Sequence, residues 1–199
     1  MNRLVLLALL AAGCSSGVNR PTVPEFEPYT PKPATEALEV GDKFPPLQAG
    51  GWVNGPPPAP DAPGVKLLFV DLWSEWCPYC RQSAPALVRL HKKYADRGVA
   101  FVSASNLIQG GVEQFVSQFK IPWPSGYLMS ADLLPALGAS SGMNMEGYAL
   151  APVVYLVGPD GKIRWSDKQS RYRHLKNANV AVWEQELDAA IEAELGGKP

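Results

Sequence analysis

A chain of 199 residues has room for one domain with appendages. Its 18 Lys and Arg nearly balance its 19 Asp and Glu, for a formal net charge of −1. That balance leaves no basic stripe of the kind that holds nucleic acid, and the 46% apolar content is ordinary for a packed globular domain.

The first segment reads as a targeting signal. Arg3 supplies a short positive region, and residues 4–12 are apolar but too few to span a bilayer as a helix. The run ends in Ala11-Ala12-Gly13-Cys14-Ser15-Ser16, which resembles a bacterial lipoprotein signal. The resemblance implies cleavage before Cys14, lipidation of the Cys14 thiol and, from Ser15, outer-membrane sorting if the source is diderm. The alternative is an ordinary secretory signal with an incidental cysteine. Residues 1–13 are thus expected to be the signal peptide and residues 14–37 a lipid-anchored tether. Pro21, Pro24, Pro28, Pro31 and Pro33 give that tether a polyproline-like, extended character. Fully extended, it would reach on the order of 70 Å at ~3.1 Å per residue.

Residues 38–199 form the expected domain. Residues 47–53 suggest a short strand, Asn54-Gly55 a turn, and residues 56–63 a proline-rich loop. Residues 65–73 read as a central strand, apolar on both faces as parallel strands are. A helix is expected over 78–97, closed by Gly98, and a parallel strand over 99–104. Val112, Phe115, Val116 and Phe119 recur at helical spacing and predict a helix over 111–120. Residues 121–127 read as an exit through two prolines, and residues 131–137 as a weaker helix. Residues 153–157 and 162–165 suit two paired strands joined by the turn Pro159-Asp160-Gly161, and 178–195 a final amphipathic helix.

The chemistry concentrates in Trp73-Ser74-Glu75-Trp76-Cys77-Pro78-Tyr79-Cys80. A strand that delivers a Cys-X-X-Cys pair to a helix N-terminus is a redox arrangement. Free N–H groups at the helix end favour a thiolate, and the spacing keeps both sulfurs within disulfide reach. The run from Val70 to Cys80 resembles the active-site strand and turn of thioredoxins. Asp71, six residues before Cys77, matches their buried carboxylate, and Pro85 their helix-kinking proline. Ala151-Pro152 resembles their cis-proline loop. Gly41-Asp42-Lys43-Phe44-Pro45-Pro46-Leu47 resembles the opening of TlpA-like and peroxiredoxin-like thioredoxin folds. The separation of 75 positions from Cys77 to Pro152 exceeds that of a minimal thioredoxin, and the extra material is similar to the insertion of the TlpA family. Two departures stand out: Pro78-Tyr79 is glutaredoxin-like, and Ala151 stands where TlpA-like proteins carry threonine.

The resemblance covers roughly residues 38–195. It implies an α/β thioredoxin-like fold, with a central mixed sheet flanked by helices and a TlpA-type insertion between the active-site half and the cis-proline half. It implies a protein thiol–disulfide oxidoreductase without a cofactor. Cys77 would attack and Cys80 would resolve, with Asp71, its pKa raised by burial, taking the Cys80 proton. Trp76, Pro78, Tyr79, Ala151 and Pro152 would meet the substrate. If Cys14 is acylated, Cys77 and Cys80 remain as the redox pair, and a three-residue loop gives little structural stapling.

Expected partners are disulfide-containing envelope proteins and a membrane electron donor of the thiol-reductant conduit type. A monomer is expected, held at a membrane by its lipid and facing the periplasm or another extracytoplasmic space. The reducing direction is favoured. Pro78-Tyr79 keeps a disulfide oxidase or isomerase open, and a non-catalytic binding or metal-delivery module is a further alternative. Zinc is not expected, because His91 and His174 lack ligand spacing to the pair. Met129, Met143 and Met145 could suggest a soft metal, but such residues more often fill gaps. Ser74 lies three residues before Cys77, as the hydroxyl of a peroxiredoxin motif does, but Val70 stands where that motif has proline.

Overall fold

The computed structural model describes residues 38–74, 77–105, 109–127, 153–167 and 179–196. The elements are β1 (Gly51–Val53), β2 (Leu67–Trp73), α1 (Pro78–Tyr94), β3 (Val99–Ser105), α2 (Gln109–Phe119), β4 (Ser125–Tyr127), β5 (Val153–Val157), β6 (Ile163–Ser166) and α3 (Val180–Glu194). Among the described residues the strands form one mixed sheet in the order β1-β4-β3-β2-β5-β6. β2 lies parallel to β3 and antiparallel to β5, and β3 lies parallel to β4. The predicted helix over 131–137 and the bulk of the proposed insertion lie outside the described residues.

β2 is buried at every position, as a strand paired on both sides and covered on both faces must be. Its side chains alternate. Leu67, Phe69 and Trp73 join a core with Leu87, Leu90, Phe115, Trp183, Leu187 and Ile191, so α1, α2 and α3 cover that face. Full burial of one such Leu or Phe contributes about 1.5–3 kcal/mol. Phe44 lies against Tyr155, with ring centroids 5.5 Å apart.

α1 begins with Pro78, where a missing N–H leaves no bond unmade. Pro85 lies inside the helix. The predicted helix over 78–97 is α-helical to Tyr94 and then tightens into a 3₁₀ turn, Ala95–Arg97. Gly98 ends that turn at φ 94°, a left-handed conformation that side chains resist. Arg89, Lys93 and Arg97 recur every four residues and pair with Glu184, Asp188 and Glu192, which do the same on α3. The two helices therefore run in the same direction. These pairs are solvated, so each contributes little to stability. Beneath them, Tyr94 donates its hydroxyl hydrogen to Asp188 Oδ1 at 2.7 Å.

Two expectations need correction. The strand expected over 47–53 forms only at Gly51–Val53, and residues 125–127, read as part of an exit, form β4. Pro122 and Pro124 precede β4, yet the Pro124 carbonyl accepts the Ser103 N–H at 2.9 Å and starts the pairing with β3. Gly51 lies directly under the Tyr127 ring, where an added Cβ would collide with the ring and its hydroxyl.

At the other end of the sheet, the segment from Gly41 to Phe44 pairs with β6 and its turn. The Gly41 N–H donates to the Ile163 carbonyl at 2.8 Å, Ile163 N–H to Asp42 at 2.9 Å, and Phe44 N–H to Gly161 at 2.9 Å.

Candidate active site

β2 leaves the core at Trp73 and reaches α1 through Ser74 and Cys77. Cys77 is the N-cap of α1, with extended backbone at φ −91° and ψ 104°. Its N–H donates to the Ser74 carbonyl at 3.2 Å, and the Cys80 N–H donates to the Cys77 carbonyl at 3.1 Å. The half-buried Cys77 therefore stands at the positive end of the helix, and Cys80 lies one turn in at 2% exposure. The first turn of α1 holds no acidic residue to offset that end. Of the two sulfurs, that of Cys77 is thus the more accessible and that of Cys80 the buried one.

Asp71 is 5% exposed, between Val70 and Leu72 at 0%. It shares the face of Phe69 and Trp73, the face that α1 covers with Cys80 and Ala84. Its register partners are Ser103 on β3 and Val154 on β5. Ser103 and Ser125 stand in the same row with their hydroxyls 2.8 Å apart. Pro78 is exposed and Tyr79 half-buried at the mouth. Arg81 reaches across to Gln118 and over the Phe119 ring, tying α1 to α2. Trp76, Ala151, Pro152 and Cys14 lie outside the described residues, as do His174, Met129, Met143 and Met145.

His91 faces inward from α1, its ring 5.1 Å from Phe101 and 5.2 Å from Trp123. Burial pushes its pKa down, against a smaller upward pull from Asp96. This is a packing position. Among the described residues, no group of three or more His, Cys, Asp or Glu side chains is arranged to hold a metal. An apolar groove lined by Lys43, Phe44, Pro57, Leu68 and Pro159 opens at the end of β2 away from Cys77 and is no part of the site.

One buried carboxylate went unread in the sequence. Asp167 follows β6 and is 1% exposed. It accepts the Val154 N–H and the Trp183 indole N–H. Its neighbours Ser166 and Lys168 are polar, so nothing local marks it as buried.

A family model described as Redoxin matches residues 40–182. The chain belongs to the Redoxin family. Among curated relatives, the thioredoxin-like protein YneN of Bacillus subtilis (strain 168) is 31% identical over 108 residues, covering 52% of this chain and 56% of the relative. The thiol-disulfide oxidoreductase ResA of Bacillus anthracis is 23% identical over 99 residues, covering 49% of this chain and 52% of the relative. The chain spans about half the length of these relatives.

Solved structures agree on the architecture. The thioredoxin domain of a thiol-disulfide oxidoreductase from Bacteroides vulgatus superposes with a TM-score of 0.51 at 22% identity, covering 71% of this chain and 98% of that one. A thiol:disulfide interchange protein from Bacteroides sp. gives 0.50 at 22%, covering 65% and 82%. At these identities they establish the fold alone. This Redoxin family member has the thioredoxin-like fold, a mixed sheet flanked by helices.

Proposed function

We propose that this protein is a thiol–disulfide oxidoreductase that reduces disulfides in other proteins. The observation that carries the reading is the pairing of a half-exposed Cys77 at a helix N-terminus with a buried Cys80, on the sheet face that also holds the buried Asp71. Membership of the Redoxin family and relatives named thiol-disulfide oxidoreductase support it.

In the first step the Cys77 thiolate attacks one sulfur of a substrate disulfide. A Cys77–substrate bond forms, the substrate S–S bond breaks, and the leaving thiolate takes a proton from water. In the second step Asp71 takes the Cys80 proton, and Cys80 attacks the Cys77 sulfur. The Cys77–substrate bond breaks, the second substrate sulfur leaves as a thiolate that takes up the proton held by Asp71, and two electrons have passed to the substrate. A dithiol donor must then reduce the Cys77–Cys80 disulfide. The substrate would lie over Trp76, Pro78 and Tyr79 and pair with the backbone at Ala151, next to Pro152.

The setting follows from the first 37 residues. Acylation of Cys14 would hold the domain at a membrane, facing an extracytoplasmic space, with residues 14–37 as tether. No helix among the described residues is long and apolar enough to cross a membrane. In this reading the electron donor is a membrane protein of the thiol-reductant conduit type, and the substrates are envelope proteins.

The test is reduction of insulin by the full chain with dithiothreitol as donor. The wild type should accelerate precipitation of the insulin B chain, and Cys77→Ser and Cys80→Ser should not. A wild-type protein no faster than the dithiothreitol control would remove the role as a reductant of protein disulfides.

A further inference from the structure

Across the sheet, the row that holds Asp71 is apolar on one side and polar on the other. On β5 its register partner is Val154, and on β3 it is Ser103. β4 continues the row with Ser125. Register partners here lie side by side on one face. Two residues earlier on that face, the rings of Phe69 and Phe101 stack with centroids 4.4 Å apart. Within the row, the Ser103 and Ser125 hydroxyls meet at 2.8 Å. Adjacent strands lie ~4.8 Å apart, so the Ser103 hydroxyl and the Asp71 carboxyl are neighbours in the same way. Both serines are buried. Alanine at either position would fill nearly the same space with no hydroxyl to desolvate.

A serine hydroxyl carries one hydrogen and can turn it. Ser125 has two acceptors within reach, the Ser103 oxygen at 2.8 Å and the Trp123 carbonyl at 3.3 Å. When Ser125 donates to the carbonyl, Ser103 donates to Ser125 and offers Asp71 an oxygen lone pair. When Ser125 donates to Ser103, the Ser103 hydrogen is free to turn toward Asp71. The first arrangement suits a carboxylic acid, and the second suits a carboxylate. The pair can thus answer either protonation state of its neighbour without water.

We propose that Ser103, steered by Ser125, is a positioning residue for the Asp71 proton: its hydroxyl donates to the carboxylate before Cys80 is deprotonated and accepts from the carboxylic acid afterwards. The inference rests on the redox reading above, in which Asp71 takes the Cys80 proton. That proton passes from the Cys80 sulfur to Asp71, while the serines keep their own hydrogens and only turn them. The titratable groups on this face, among the described residues, are Cys77 and Cys80 at the start of α1, His91 and Tyr94 farther along it, and Asp167 after β6. The buried residues of α2 and α3 do not titrate, and the α1–α3 ion pairs lie outside this face, in solvent. All of these groups stay the same when a serine is replaced.

The experiment follows the Asp71 side-chain carboxyl by carbon NMR in the oxidised full chain, where Cys77 and Cys80 share a disulfide and do not titrate. The signal is identified by its loss in Asp71→Asn. Ser103→Ala takes a donor from the carboxylate and should raise the titration midpoint by about one unit. Ser125→Ala removes the other acceptor of the Ser103 hydrogen, so the midpoint should hold or fall. Ser103→Thr keeps the hydroxyl and should keep the midpoint close to that of the wild type. In stopped-flow mixing of the reduced chain with a disulfide peptide, the slow phase should move along the pH axis with these midpoints, and the fast phase should not. No rise in Ser103→Ala, or a rise in Ser125→Ala, would overturn the proposal and leave the serines as packing. A shifted carboxyl titration with an unshifted slow phase would overturn the role in resolution. A wild type unreactive toward the peptide would sink the redox reading and any role in resolution with it, even where the carboxyl midpoints move as expected.

Discussion

Replacing Asp71 by Asn tests the centre of the proposed cycle. The substitution keeps the shape of a side chain that is only 5% exposed and removes its ability to take a proton. Attack by Cys77 does not need that proton, because the thiolate is stabilised at the start of α1. Resolution by Cys80 does need it: the Cys80 thiol is 2% exposed and bulk water reaches it poorly. Loss of a general base typically costs ~10²–10⁴-fold, and residual water access at the half-buried Cys77 puts the expected loss near ~10²-fold. Global stability should hold or rise, since a buried carboxylate is costly to desolvate. Stopped-flow mixing of the reduced protein with a disulfide peptide separates the two phases. The fast phase should be unchanged in Asp71→Asn and the slow phase should lag about a hundredfold. A slow phase equal to that of the wild type across neutral pH refutes the assignment and makes Asp71 a structural residue.

Three further outcomes are expected. The folded state holds the His91 pKa below its ordinary 6.5 because burial disfavours the charged ring. Its contribution to stability is therefore complete above 6.5 and is lost as pH falls through the depressed folded value. Urea midpoints of the wild type should drop between about pH 7.5 and about pH 5.5, and those of His91→Phe should drop less; parallel curves would exclude His91. Glu192 does not interfere, because its hydrogen bond with Arg97 lowers its pKa to about 2. Its contribution is present above the ordinary carboxylate value and is lost only in strong acid. The redox potential of the cysteine pair should lie at about −200 to −270 mV, between glutaredoxin and thioredoxin values, and a titration near about −120 mV would indicate an oxidase instead. Finally, Cys14→Ala should move the protein from the membrane fraction to the soluble envelope fraction, and continued membrane association would end the lipid-tether reading.

The sequence made the central elements legible because each has a strong local signature. β5 is an unbroken apolar run, β2 is one interrupted by Asp71 alone, and α1 starts at a Pro and is closed, after its 3₁₀ turn, by Gly98. The Cys77–Cys80 spacing, with Asp71 six residues upstream, made the candidate site readable as a unit. β4 was not legible. Three residues, Ser125-Gly126-Tyr127, carry no alternation, and the prolines before them argue for a loop. Its pairing comes from β3 and from the close fit of Gly51 beneath Tyr127. Asp167 was hidden for a related reason. Its burial comes from Trp183, sixteen residues on, and from Val154, thirteen residues back. The charges on α1 and α3 show a four-residue rhythm in the sequence, but nothing local says that the rhythms face each other.

The pairing of Gly41–Phe44 with the β6 turn bears on how this molecule behaves in a crowd. An outer strand with open N–H and C=O groups is a template for a strand from another chain, and this is a common start of aggregation. Here Gly41, Asp42 and Phe44 occupy that template around Ile163 and Gly161. A foreign strand could dock on that part of the edge only by displacing them and pulling Phe44 off Tyr155. The first residues of the domain thus act as a built-in stopper against sheet-to-sheet polymerisation, and a fragment trimmed past Phe44 loses it.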